Sequence, residues 1–376
     1  MKQYLEALRE ILDNGVYKED RTGAGRKSIY GYQMRFKMSD GFPVVTTRQI
    51  FTKAMIAETL WFISGSNDIS VLKELGASFW DRWAVKEKDI EAFVIKYRDK
   101  LHIQDSITNE TRLATDDELD IIKQQFRVKY LGKIGNIYGP SWRNAPGPNE
   151  YHPLWPKISL DDIPNDKLFE YNLSLQQYIE QTGNHVSIEE WANFNYRSSV
   201  DQLNELIINL RDRPYSSRHY VSAWIPSQIP FEDLSPQENV MLDKGALSPC
   251  HRSWHCFVKP PKEEGGKKQL SLLVYMGSND VAVGCPVNIA QYALMLHLLA
   301  HVTDMEVDEL IYNTGDLHLY NSNHIELAKE QITRDPLPLP KLWLNPDVKS
   351  IYDFTPDDIK IIDYKHHPKL DYEVHV

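Results

Sequence analysis

From Asn288 to Thr303 the chain reads Asn-Ile-Ala-Gln-Tyr-Ala-Leu-Met-Leu-His-Leu-Leu-Ala-His-Val-Thr, apolar on every side of a helix. A helix without a polar stripe cannot lie on a surface, so other elements must surround it. No run in the chain approaches the roughly 18 consecutive apolar residues of a membrane span, and none is expected. The rest of the chain supplies the surrounding layers. Residues 1–15 and 51–64 have helical apolar spacing, 67–75 forms a short helix with Asp68 near its start, and 200–211 forms a helix ended by the Asp212-Arg-Pro turn. Ser28–Phe36 alternates like a strand, and 219–224, 254–259 and 270–275 read as further strands, with 260–268 a solvated turn. These elements describe an α/β domain of helices packed with a sheet. Two stretches have no chemistry of their own: a charged, helix-periodic one at about 85–133, and one at about 149–199 with Pro-Leu-Trp-Pro and Ile-Pro-Asn-Asp turns. Both read as surface insertions in one domain spanning 1–376.

Composition narrows the function classes. With 376 residues and 42% hydrophobic side chains there is ample material for a core. A net charge of −11 argues against general nucleic-acid affinity, because neutralising a phosphate backbone needs a basic surface. If a substrate carries phosphate, its site must be a local cluster of positive charge. Three cysteines, odd in number and sparse, argue against a disulfide framework and for a reducing cytosol. The amphipathic start, Met-Lys-Gln-Tyr-Leu-Glu-Ala-Leu, lacks the apolar core of a signal peptide, so a cytoplasmic location is expected.

The chemistry concentrates around Ala246-Leu-Ser-Pro-Cys250-His-Arg-Ser-Trp-His-Cys-Phe-Val258. A lone cysteine is more often a packing residue. Cys250, however, follows a rigid proline turn at the mouth of a strand, where a thiol is well placed to be a nucleophile. Sulfur is a few per cent thiolate near neutral pH, so a nearby arginine suffices to make it reactive. Cys256, in the strand beyond, and Cys285, after a glycine, read as packing residues. Glu58 lies among apolar neighbours in Ala57-Glu-Thr-Leu-Trp-Phe62. A carboxyl buried there must be paired or have a raised pKa, a mark of a general acid–base group. His318 and Tyr320, two apart on a strand, face the same side.

The company these residues keep is specific. Near the N-terminus stand Asp20-Arg21-Thr-Gly-Ala-Gly and Asp40-Gly-Phe-Pro-Val-Val-Thr-Thr-Arg48. Further on come Gly277-Ser-Asn-Asp280-Val-Ala-Val-Gly284-Cys-Pro-Val-Asn288 and Asn313-Thr-Gly-Asp316-Leu-His318-Leu-Tyr320-Asn-Ser-Asn-His324. With Cys250 and Glu58, in this order and at compatible spacing, they closely resemble the thymidylate synthase family. The likeness runs over about 1–84, 135–143 and 202–376.

That resemblance implies a large mixed, mainly antiparallel sheet backed by helices, in a homodimer with one sheet face packed on its twin. It implies one-carbon transfer to C5 of dUMP, with 5,10-methylenetetrahydrofolate as co-substrate, no metal, and no nucleic-acid or membrane partner. A pyrimidine is a poor nucleophile at C5; a Cys250 thiolate added at C6 turns the ring into an enolate that can attack carbon. By the same resemblance Glu58 handles protons at C4/C5 through water. Asn288 reads the uracil O4 and N3–H, where the cytosine-specific branch carries aspartate; it could also cap the helix it opens. His318 and Tyr320 hold the sugar hydroxyl, and Arg21, Arg218 and Ser278 belong to the substrate site, Arg218 being donated by the partner subunit. Asp280 contacts the pterin, Trp80, Trp83 and Tyr138 surround the folate, and the terminal Val376 closes over it. Three aromatics by themselves would more often be core.

The departures bear on the phosphate. The family grips it with four arginines, two from the partner. Here Ser217 replaces one of the partner pair, and Gly277 replaces the arginine that also helps activate the thiol. Two missing charge-assisted contacts, each worth roughly 1.5–3 kcal/mol, need a substitute; Arg252 and Arg213 are the candidates. His255 stands where glutamine is usual, and His375 replaces a small residue beside Val376. The leading reading is a thymidylate synthase. A deoxyuridylate hydroxymethylase, as in phages with modified pyrimidines (and then in the host cytoplasm), is the alternative, and a catalytically silent nucleotide-binding homologue the third.

Overall fold

A computed structural model describes residues 1–19, 23–104, 111–146, 159–182, 186–192 and 199–375. Helix α1 (Lys2–Asn14) buries Tyr4, Leu5, Ala7, Leu8 and Ile11, the single stripe that 3.6-residue spacing dictates. The Gly15 N–H closes it on Ile11 O at 2.9 Å. The chain then enters a six-stranded sheet made of β1 (Val16–Lys18), β2 (Arg26–Lys37), β3 (Tyr220–Ser222), β4 (His251–Lys259), β5 (Gln269–Asp280) and β6 (Glu306–Tyr320). Their spatial order is β1-β2-β6-β5-β4-β3. Every neighbouring pair is antiparallel except β5 and β6, which run parallel. The expected mixed, mainly antiparallel sheet is present. Parallel neighbours need a crossover, and here the crossover is the apolar run itself.

That run forms helix α8 (Gly284–Val302), with fourteen named residues buried, among them Ile289, Ala290, Tyr292, Leu294, Leu296, Leu298 and Leu299. By length and composition it could cross a membrane, but 78% of it lies inside the protein. It packs on β5, β6 and α2 (Thr52–Ser64). Each fully buried leucine stabilises this arrangement by about 2 kcal/mol. The helix begins at Gly284, so Asn288 lies in its second turn and does not cap it. Its amide bonds instead to side chains described below. On the opposite face of the sheet, Leu273, Tyr275 and Ile311 are half-buried and Phe257 is 60% exposed.

Stretch 85–133 supplies α3 (Glu87–Tyr97) and α4 (Leu119–Tyr130), with a small ladder pairing His102–Gln104 with Thr111–Leu113. Charged faces point outward, while Ile90, Phe93, Val94 and Ile122 join the main core. In the second stretch, α6 (Asn165–Thr182) follows α5 (Gly139–Arg143) and precedes α7 (Gln202–Asp212). Ile163, Tyr171 and Ala192 form a separate small cluster there. Buried Arg143 ties these helices together, donating to Asp201 at 2.6 Å, Asp166 at 3.1 Å and Ile63 O at 3.1 Å. Close contact of α5 with α2 requires Gly139, where a Cβ would stand 2.8 Å from Phe62 O.

Candidate active site

Cys250 ends the turn into β4, and its thiol is exposed, whereas Cys256 and Cys285 are buried. Burial pushes both of those thiols far up, so neither ionises near neutrality. The Cys250 backbone is fixed from two sides. Its N–H donates to Tyr138 Oη at 3.1 Å, and its carbonyl accepts from the Gly277 N–H at 2.7 Å. Tyr138 is itself held at φ 53°, ψ −97°, a conformation costly for an aromatic residue. Its buried ring lies 4.9 Å from Phe62 and 4.6 Å from His251, packing that holds the strained backbone in place. His251, next to the nucleophile, is buried with Nδ1 3.2 Å from Tyr292 Oη. Burial lowers its pKa to about 3, so it is a neutral imidazole.

Glu58 projects from α2 at 7% exposure. Burial raises its pKa from 4.5 to about 7, although two donors oppose the rise. Trp80 Nε1 donates to Oε1 at 2.6 Å, and Gln291 Nε2 donates to Oε2 at 2.6 Å. A carboxyl poised near 7 can give or take a proton at neutral pH.

Gln291 continues a chain of side chains. Its Oε1 accepts from Asn288 Nδ2 at 2.9 Å, Asn288 Oδ1 accepts from Asn279 Nδ2 at 3.0 Å, and Asn279 Oδ1 accepts from Tyr312 Oη at 2.8 Å. The direction of donation is forced by an ionised Glu58, because an amide whose nitrogen faces the carboxylate must turn its oxygen to the next residue. Asn288 and Gln291 share a face of α8 through their three-residue spacing. That spacing was a usable signal for Gln291, but sequence reasoning passed over it, and nothing local to Asn279 or Tyr312 announces their contacts.

The remaining predicted residues fall into two groups. Trp83 packs on Trp80 at 4.9 Å between ring centroids, giving an aromatic wall beside Glu58. Asp280 closes the turn after β5, its Oδ1 accepting from the Ala282 and Val283 N–H groups at 2.8 and 3.3 Å. Its second oxygen makes no hydrogen bond among the described residues and is open to a donor. Ser278 is half-buried on β5, in register with Asp316 of β6. His318 and Tyr320 share a face of β6 with rings 5.2 Å apart, as their spacing required. Tyr320 also meets the C-terminal tail: His375 lies 4.6 Å from its ring and has Nε2 2.9 Å from Ser322 Oγ. Arg48, unremarked as a contact residue, donates to Ala282 O and lies 5.0 Å over the Tyr372 ring, supporting both turn and tail.

Arg218 is exposed where the chain enters β3. Arg21 and Val376 lie outside the described residues. Arg252 is half-buried two residues past Cys250, with its guanidinium 4.5 Å over Trp224.

Comparison with known proteins agrees with this arrangement. The thymidylate synthase family model matches residues 2–376. A thymidylate synthase of Francisella philomiragia subsp. philomiragia is 32% identical over 376 residues, covering all of both chains. With its thiol, buried carboxyl and asparagine assembled at one end of such a sheet, the chain belongs to the thymidylate synthase family.

Proposed function

We propose that this protein is a thymidylate synthase that converts dUMP to dTMP with 5,10-methylenetetrahydrofolate. The observation that carries the reading is the exposed Cys250 thiol backed by the chain from Asn288 to a Glu58 poised near neutrality. The Cys250 thiolate adds to C6 of the uracil, and the C5–C6 electron pair moves toward C5 and O4. Asn288 has one N–H and one oxygen lone pair left after its two described bonds, enough to donate to O4 and accept from N3–H. Glu58, through water, supplies and removes a proton at O4 and so moves electron density to and from C5. After C5 has bonded to carbon and lost its proton, the C6–sulfur bond breaks and the thiolate returns. When bound, the folate supplies the one-carbon unit and the hydride, leaving as dihydrofolate. Trp80 and Trp83 would pack on it, Asp280 would accept from its pterin, and Val376 would close the tail.

The half-open sheet face with Leu273, Tyr275 and Phe257, and the exposed Arg218, support a homodimer in which Arg218 reaches the partner's phosphate site. A second reading, deoxyuridylate hydroxymethylase, draws on His375: an imidazole at the tail could orient a water that replaces the hydride. The test is incubation with dUMP and methylenetetrahydrofolate, following dihydrofolate absorbance and the nucleotide mass. Equimolar dTMP and dihydrofolate are expected. 5-Hydroxymethyl-dUMP without dihydrofolate would replace the first reading by the second.

A further inference from the structure

The side chain of Arg252 occupies the space above Gly277. A Cβ built on Gly277 would stand 2.7 Å from Arg252 Cδ and closer still to Nε and Cζ, so no larger residue fits at 277 while Arg252 lies there. Gly277 is the residue whose N–H holds the Cys250 carbonyl at 2.7 Å. The guanidinium stem therefore crosses the strand directly beside the nucleophile.

Its position is built. The register between β4 and β5 slips between His251 and Ser253, and Arg252 is the bulged residue. Bulges re-aim a side chain out of the regular alternation. The Arg252 carbonyl accepts from the Ala223 and Trp224 N–H groups at 2.8 and 3.2 Å, which brings the Trp224 ring to 4.5 Å from the guanidinium carbon. A planar cation on an indole face is held in orientation while its edge stays free to donate.

What this cation lacks is an anion. Lys18 and Arg26 are taken by Asp316, and Arg143 by Asp201 and Asp166. Among the described residues no carboxylate meets Arg252, and its buried Nε has no acceptor. A half-buried guanidinium with an unmet donor, at the wall of a site with an exposed thiol, is a place for an oxyanion. On the nucleotide reading above, the substrate brings one.

We propose that Arg252 is a phosphate-binding residue of this enzyme, donating to the 5′-phosphate of the nucleotide from the same chain that carries the nucleophile. Gly277 is then the residue that makes room for it. The inference rests on the assignment of a nucleotide substrate, and the test separates the two.

Equilibrium binding of dUMP and deoxyuridine is measured without folate for the wild type, Arg252→Ala, Arg252→Lys, Gly277→Arg and the double variant Arg252→Ala/Gly277→Arg. Inorganic phosphate serves as competitor. Arg252→Ala should weaken dUMP by about 10- to 100-fold, the worth of one charge-assisted contact, and leave deoxyuridine unchanged. Lysine should restore part of the loss. The double variant, which returns a guanidinium to the vacated space, should recover at least about tenfold. Gly277→Arg alone should bind dUMP more weakly than wild type, because the space is filled. Phosphate should compete with dUMP in the wild type and lose most of that effect in Arg252→Ala. A preference for dUMP over deoxyuridine left undiminished by Arg252→Ala overturns the inference alone, as does equal weakening of both ligands. A wild type with no such preference overturns the nucleotide reading and the inference with it.

Discussion

Around Glu58 the polar groups are buried, Asn288 only partly, and each carboxylate oxygen meets one donor, whereas beside Gly277 the Arg252 guanidinium is half-buried and its Nε meets no acceptor among the described residues. The first region depends on matched hydrogen bonds in a low-dielectric interior, where an unmatched partner costs about 1–3 kcal/mol. A change at Trp80, Gln291 or Asn288 therefore propagates. The second region needs only a guanidinium near one point, and a long side chain can deliver it from either of two neighbouring strands. Of the departures from the family pattern, Gly277 falls in the second region, while Glu58 and Asn288 of the first stand. Matched burial fixes residue identity; long-range charge does not.

That contrast can be broken most forcefully at the thiol. Cys250→Ser should lower turnover by roughly 10³-fold or more, an alkoxide being scarce at neutral pH, with thermal stability unchanged. Stopped-flow and melting measurements check both halves, and near-normal turnover would end the covalent mechanism. Glu58→Gln should lower kcat by about 10²–10⁴-fold while leaving dUMP affinity intact. It should also reveal a stability cost. The folded carboxyl binds its proton up to about pH 7 and the unfolded one only to 4.5, so its penalty grows as pH rises through that window. The glutamine variant should gain up to about 3 kcal/mol at pH 8 and nothing below pH 4 in urea titrations. An unchanged pH dependence would mean that Glu58 is not destabilised by its burial.

Asn288→Asp should move selectivity from dUMP toward dCMP by about tenfold or more, since the new carboxyl can accept from the cytosine amino group. Paired kcat/KM values decide it, and an unmoved ratio would place base reading elsewhere. The smallest effect is expected from Gln291→Leu, about tenfold in kcat. Its amide favours the ionised Glu58, so the acidic limb of the pH–rate profile should move upward. A lower kcat with a stationary limb would reduce Gln291 to packing.

Much of the frame was legible because it is written in short-range patterns. The α8 run, the α1 stripe and the alternation of β2 follow from periodicity, and Cys250 and Glu58 from their immediate neighbours. What lay hidden depends on contacts across the fold. Gln291 meets Glu58 from 233 positions away, and Tyr312 meets Asn279 across two strands. The strained backbone of Tyr138 has no signature in residue type. Asn288 looked like a helix cap because the helix was expected to start there, but the apolar turn before it, Gly284 to Val287, extends the helix inward.

The one-way run of donors from Tyr312 to Glu58 makes the site a single object with two polarities. A proton placed on Oε2 would face the Gln291 nitrogen hydrogen to hydrogen. Relief comes either from the O–H turning to its other side or from Gln291 turning its amide over, then Asn288, then Asn279, each exchanging oxygen for nitrogen. The face Asn288 presents to a pyrimidine would invert along with them, from the pattern that suits uracil to the pattern that suits cytosine. Discrimination between two bases and the charge on a carboxyl two hydrogen bonds away are thus linked, and acidity should weaken the preference for uracil over the cytosine analogue to the extent that the amides turn.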